Sequence, residues 1–480
     1  MQTKKLGVWG ATLFCINTVV GVGIFFKNAS IFNANGNNGW GVVISWLIGA
    51  VVILFTSLTM ANIAMQKQKD DKYNGWICWG NTFLGSKIAK FMAFFYNLIF
   101  LPLLSLIVAV FCTSAAFKIF GATNVHFSIV CIVSVLFVVL TIFLDYLKKS
   151  SLLVGAKWLG YINYLPLIIC VAGMIFAFST NQTSNLFDVN NSAVGSKNVN
   201  FSAIMSALPG VLFAFNGFFA IGDIKDEIDQ PNKKVPLAII VSTLVIAAIY
   251  VGCSITLAIN GNSQGMILMA FGEKGVPYIS AVLCLVTVGS VCSLQGNANH
   301  NCDKFIKTDI LFCSKGLDNL NNKKAGLGGL VLSLSALLIH VLVFVVPSMI
   351  IDTDDLIDIS SNFLSFFVFI LLSMIMVSFL IKSFDKKSEV KCNIFIKISA
   401  IISILALVFS TCYLALYVPI NDFITKPLEW NNGSGVFFHR DNKLQYWLGD
   451  TILYITLFYT PILFFTNVLL FKLKNKKASA

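Results

Sequence analysis

Thr287 and Ser290 stand three apart in an apolar run, so on a helix their hydroxyls share one face. Together with backbone carbonyls near Val19 and Val22 they make an oxygen set of the kind that holds a hard cation such as sodium. The same spacing lets each hydroxyl bond back to its own helix, which leaves the ion reading open. Asp352, Asp354, Asp355 and Asp358 cluster at the head of another apolar run, either concentrating cationic solutes or simply solvating a loop. Little else could do chemistry. His126, His300, His340 and His439 are scattered without ligand spacing, "HNCD" at 300–303 cannot converge on one metal, and the twelve cysteines form no CxxC pair. With no paired carboxylates, no histidine beside a nucleophile and no phosphate-cradling loop, neither an enzyme nor a bound metal or cofactor is expected.

The elements that must position these groups follow from composition. A chain of 480 residues that is 57% hydrophobic and 12% charged cannot bury so much apolar surface in one soluble core; ordinary domains carry about 25% charged residues. Apolar runs long enough to cross a bilayer recur at 7–32, 41–65, 90–117, 127–147, 154–178, 202–222, 235–259, 276–298, 326–347, 356–381, 395–418 and 446–471. The expected fold is an all-α integral membrane protein of twelve transmembrane helices. No soluble domain interrupts them. The segments at 303–326 and 419–445 read as ordinary connectors, the second rich enough in aromatic residues to serve as an interfacial anchor or external lid.

The net charge of +12 might in another chain mean a nucleic-acid partner. Here its placement says otherwise. With the N-terminus inside, 27 of the 34 basic residues fall in cytoplasmic segments, and the outer set is Lys27, Lys118, Lys197, Lys274, Lys426, Arg440 and Lys443. The positive-inside rule therefore places both termini in the cytoplasm of a multi-pass protein of the cell membrane, with lipid and not nucleic acid around it. The first run is too long for a signal peptide and is followed by eleven more. One arginine against 33 lysines, with abundant Asn, Ile and Phe, suits a bacterial genome of high AT content.

Two of the runs are interrupted. "TVVGVGIFF" places Gly21 and Gly23 within the first, and "LPGVLFAFNGFF" places Asn216 and Gly217 within the sixth. Alone, Gly21 and Gly23 fit close helix packing. If runs one to five and six to ten form inverted repeats, about 7–178 and 202–381, the two interruptions occupy equivalent midpoints, where such transporters bind their substrate. The transporter core is then 1–381, and 382–480 adds two C-terminal helices and a cytoplasmic tail.

On these residues the chain resembles the amino acid/polyamine/organocation transporter superfamily, and specifically its amino acid permeases. Gly21, Val22, Gly23, Ile24 and Phe25 match the Gly-Ser-Gly-Ile-Phe signature of the first helix; Phe215, Asn216, Gly217, Phe218 and Phe219, then Glu227, Pro231 and Pro236, match the sixth. The resemblance implies a secondary active transporter that moves amino acids by alternating access, as symporter or exchanger. The alternatives are an amino acid sensor on the same scaffold and a polyamine or organic cation transporter. In such a site the freed N–H groups of Val22, Gly23 and Ile24 hold a carboxylate, and the freed carbonyls near Phe213, Ala214 and Phe215 accept from an α-ammonium. Asn216 joins them, Phe215, Phe218 and Phe219 supply an aromatic gate, and Glu227 organises the cytoplasmic loop.

Three departures bear on coupling. Val22 replaces the usual serine, Phe219 a frequent glutamate, and Asn163, ahead of Pro166, the lysine of many proton-coupled relatives. Lys157 lies nearly two turns away and snorkels. Proton, sodium at the Thr287 and Ser290 site, or exchange without an ion all remain open from sequence.

Overall fold

The computed structural model describes residues 5–20, 23, 27, 31–32, 35, 38–67, 73, 75–122, 125–147, 161–165, 168, 172, 175, 201–260, 276–352, 355–417 and 458–474. Among them the regular structure is helical, apart from one parallel bridge between Leu6 and Ile228. The helices are α1 (Val8–Val19), α2 (Gly39–Met65), α3 (Gly75–Leu84), α4 (Ser86–Ile119), α5 (Phe127–Leu147), α6 (Phe201–Ala214), α7 (Pro231–Asn260), α8 (Val276–Ile306), α9 (Ser314–Lys323), α10 (Leu327–Ile350), α11 (Asp355–Phe384) and α12 (Ile394–Tyr417), with 458–474 helical after them.

Nine helical stretches among the described residues are long and apolar enough to cross a membrane. Three of the twelve expected runs are not among those nine. In the first, α1 stops after 12 residues. The run at 154–178 and the start of the one at 446–471 lie largely outside the described residues.

Local sequence explains the shapes. Asn38 and Asn393 cap α2 and α12 by accepting the Gly41 and Ile396 N–H groups, which replaces two bonds that helix starts lack. In α4 and α10 the ladder widens to π turns at Tyr96–Phe100 and Val341–Val345, just ahead of Pro102 and Pro347. A proline inside a helix has no N–H to give and crowds the carbonyl four residues back, so the preceding turn loosens.

Two helices were not expected. The connector at 303–326 forms α9, and the segment between the second and third runs forms α3. With ten residues α3 is too short to span, yet Trp76, Cys78 and Trp79 are buried, so it folds into the bundle. The helices pair in a regular way: α2 packs along α7, α4 along α8, α5 along α10, and α1 against α7 and the turn that follows α6. Cys15 ties three of these elements together, since its thiol donates to the Phe218 carbonyl and accepts from Ser242 on α7.

Candidate functional site

Both interruptions read from the sequence coincide with helix ends. At the end of α1 the Val20 N–H bonds Ile16 at 2.6 Å and the backbone then turns extended, φ −79° and ψ 91°. At the end of α6 the bonds tighten, Phe215 N–H to Leu212 at 3.2 Å and Asn216 N–H to Phe213 at 2.9 Å. Gly217 then takes φ +117°, a conformation closed to ordinary L-residues. From there the chain continues as a 3₁₀ helix, Phe218–Glu227. Such turns rarely run beyond 3–4 residues, and a long one marks a hinge or a sequence under constraint.

The two breaks touch. A Cβ at Gly23 would lie 2.6 Å from the Ala214 Cα, so glycine is what lets the backbones meet. Tyr250, fully buried on α7, bridges the same point: its hydroxyl lies 3.1 Å from the Val19 carbonyl and 3.2 Å from the Ala214 carbonyl. One proton serves both oxygens, and each carbonyl keeps a second lone pair. The rings of Trp46 and Phe215 pack against Tyr250 at 5.4 and 4.9 Å and fix its aim.

Beside this junction lies a cavity of about 50 Å³. Gly23, Phe213, Ala214 and Asn216 line it from the breaks, Thr18 and Val19 from α1, Leu104, Ile107 and Val108 from α4, and Ser290, Ser293 and Asn297 from α8. That space holds a few waters and no amino acid, so it would have to widen to take a solute of that size. Asn216 stands out chemically. Both its amide Nδ2 and its Oδ1 are buried without a hydrogen-bond partner. An unsatisfied buried amide costs stability, and here, where it has no partner among the described residues, it lines a cavity in which a solute could complete it.

Of the residues proposed for the substrate, then, Gly23, Phe213, Ala214 and Asn216 are brought together. Gly21, Val22 and Ile24 lie outside the described residues, as does the side chain of Glu227. Phe215, Phe218 and Phe219 do not line the cavity. Phe215 backs Tyr250, while Phe219 packs on Trp76 at 4.9 Å and on Tyr96 and Phe100 at 6.3 Å each, with Phe218 beside it. Phe218 and Phe219 pack into one cluster with Trp76, Tyr96 and Phe100. Ser290 reaches the cavity and Thr287 does not; their hydroxyls donate to Val286 and to Leu283 and Cys284 of their own helix. The Val19 carbonyl of the suggested sodium set already accepts from Tyr250. Asp352 has a structural role, its carboxylate accepting the Phe127 N–H at the start of α5.

Two buried polar side chains near this junction escaped the sequence reading. Tyr250 was hidden in an apolar run, where its only signal was a hydroxyl that must find a partner when buried. Lys27 was counted with the outer basic residues, and its side chain is completely buried, with the ammonium 5.1 Å from the centre of the Phe213 ring.

Comparison with known proteins bears on this arrangement directly. Residues 6–432 match the family described as amino acid permease. The chain belongs to the amino acid permease family. Relatives within this permease group include the serine/threonine exchanger SteT of Bacillus subtilis, 23% identical over 312 residues, covering 62% of this chain and 65% of the exchanger. The putrescine transporter PotE of Escherichia coli is 23% identical over 310 residues, with the same coverage of 62% and 65%. The chain thus spans slightly less than two thirds of the length of these two permeases. A crystal structure of a point mutant of the Eremococcus coleocola manganese transporter aligns with a TM-score of 0.50 and 12% identity over 96% of this chain and 95% of that one. At that identity the likeness concerns the fold alone.

Proposed function

We propose that this permease is a secondary active transporter that carries amino acids across the cell membrane by alternating access. The observation that carries the reading is the cavity at the junction of two broken helices, where the buried amide of Asn216 has no protein partner. A zwitterion matches the surrounding chemistry. Its α-ammonium meets the spare lone pairs on the Phe213, Ala214 and Phe215 carbonyls, and its carboxylate meets the N–H groups of Val22, Gly23 and Ile24.

The pairing of α2 with α7, α4 with α8 and α5 with α10, around a contact between the first and sixth runs, supports five-plus-five repeats, about 7–178 and 202–381. Each of these runs packs on the one five places later. In this reading 382–480 is an appended pair of helices, both termini are cytoplasmic, and Glu227 organises the loop that follows the sixth helix.

Exchange of one amino acid for another is the favoured mode. Among the described residues the cavity lining carries no carboxylate or histidine, and the hydroxyls of Thr287 and Ser290 are turned to their own helix. The SteT relative, named an exchanger, points the same way. A polyamine substrate is the second reading, favoured by the likeness to PotE. The test is uptake and counterflow of labelled amino acids and putrescine in proteoliposomes, with proton and sodium gradients imposed separately. Counterflow without any gradient is expected. Saturable binding with no flux under any condition would mean a sensor on this scaffold.

A further inference from the structure

We propose that the groove between α11 and α12 is a binding site for one anionic phospholipid of the bilayer, with an acyl chain in the groove and the phosphate at the lysines where α11 ends. The site is independent of which solute the central cavity carries. The groove encloses about 840 Å³ and is lined by side chains from 366–382 on α11 and 408–416 on α12, with Leu84 and Phe458. Among these lining residues Lys382 is the one charged group, and it stands at the end of the α11 wall. From Phe366 to Lys382 that wall is about 24 Å long, at about 1.5 Å per residue. One leaflet is about half of a 30 Å hydrocarbon core, so a chain that enters at Lys382 can lie in the groove over its whole length.

The surroundings select the occupant. Ile381, Leu416 and Phe458, on the rim, are exposed apolar side chains, and both helices are long and apolar enough to cross a membrane. The groove therefore opens to hydrocarbon and not to water. Apolar space of this kind stays dry, and left empty it would forfeit dispersion contacts along both helices, so a hydrocarbon chain fills it. The end of the groove adds charge. Lys382 lies in the last turn of α11, its Nζ donates to the Thr82 carbonyl at 3.0 Å, and it stands 5.0 Å from the centre of the Phe83 ring. These contacts fix the ammonium at the mouth of the groove. Just beyond it Lys386, Lys387 and Lys391 are exposed, with Asp385 and Glu389 as the only acids between 382 and 397. A phosphate at headgroup level meets this basic cluster where its own acyl chain enters the groove. A zwitterionic headgroup brings an ammonium of its own to the same lysines and gains less.

The experiment is native mass spectrometry of the purified full chain, titrated with phosphatidylglycerol and phosphatidylcholine of identical acyl chains. Wild type should retain one phosphatidylglycerol and prefer it by about fivefold or more, the factor expected for one lysine near an anionic lipid. Lys382→Gln should shrink that preference by about fivefold and leave phosphatidylcholine binding unchanged. If that protein does not fold, the double variant Lys386→Gln, Lys387→Gln gives the same readout. Val377→Trp puts an indole into the groove and should abolish the retained lipid, and Leu416→Trp does so from the opposite wall if the first variant fails to fold. Equal binding of the two lipids, an unchanged preference in the glutamine variants, or tryptophan variants that keep their lipid overturns the site. So does a wild type that is a lipid-free dimer and becomes monomeric in the tryptophan variants, since the groove then belongs to a second copy of the chain.

Discussion

Gly23 faces Ala214 with no room for a methyl group: a Cβ there would stand 2.6 Å from the Ala214 Cα and 2.8 Å from its Cβ. Because the nearest atom belongs to backbone, rotating a side chain cannot relieve the contact. Gly23→Ala should therefore separate the two helix breaks, at an overpacking cost of about 1–3 kcal/mol. Binding should weaken by about tenfold or more, since a hydrogen bond to a charged group is worth about 1.5–3 kcal/mol. Melting temperature with and without amino acids reads both effects. A variant that binds as wild type does would reduce Gly23 to a packing residue.

Tyr250→Phe keeps the ring that Trp46 and Phe215 hold and removes only the hydroxyl. The carbonyls of Val19 and Ala214 then lose their shared donor. An unsatisfied buried acceptor costs about 1–3 kcal/mol, so the ligand-free protein should melt earlier. If the melting temperature does not move, the hydroxyl is not what closes the junction.

Asn216→Ala should behave in the opposite sense. It removes an amide whose two polar atoms have no protein partner, so the ligand-free protein should be as stable as wild type or more so. Substrate affinity should nonetheless drop by about tenfold. Stability and function then part company at one position, as happens where a site is built at a cost to the fold. A loss of stability equal to the loss of binding would show that Asn216 serves the fold instead.

At the far end of the same 3₁₀ helix, the Asp229 N–H bonds the Leu6 carbonyl at 3.0 Å and the Asp229 carboxylate pairs with Lys234. The hydrogen bond from Lys234, helped by the charges of Lys234 and Lys5, holds this carboxyl below its ordinary value. A depressed carboxyl contributes its pairing above the unfolded value of about 3.9 and loses it as pH falls through the lower folded value. The Leu6–Ile228 bridge should accordingly be indifferent to pH from about 5 to 8 and loosen only below about 4. Asp229→Asn should loosen it at neutral pH, seen as faster hydrogen exchange of the residue 229 amide. Unchanged exchange in the Asn variant would show that the backbone bridge holds alone.

What the sequence made legible was backbone, and what it concealed was side-chain direction. "FNG" foretold the positive φ of Gly217, because few other residues accept that conformation. The aromatic gate could not be placed the same way. After Gly217 the chain winds with about three residues per turn, not 3.6, so Phe218 and Phe219 point where no helical period would send them. Lys27, at the outer end of the run 7–32, was counted only for its charge, since burial of a side chain depends on the helices that cover it. The short α3 was invisible to any search for runs long enough to span, although its two tryptophans carry much of the packing below the site.

The ring cluster of Phe218, Phe219, Trp76, Tyr96 and Phe100 has a kinetic consequence. Its rings come from three separate elements: α3, the 3₁₀ helix and the π turn of α4. A single exposed side chain can swing aside in picoseconds to nanoseconds, but interlocked rings on three backbones yield only when those backbones shift together, on the order of microseconds to milliseconds. If a transported solute has to pass this cluster, that passage carries a speed limit set by helix displacement. However loosely such a solute were held, it could leave by that route no more often than the scaffold breathes.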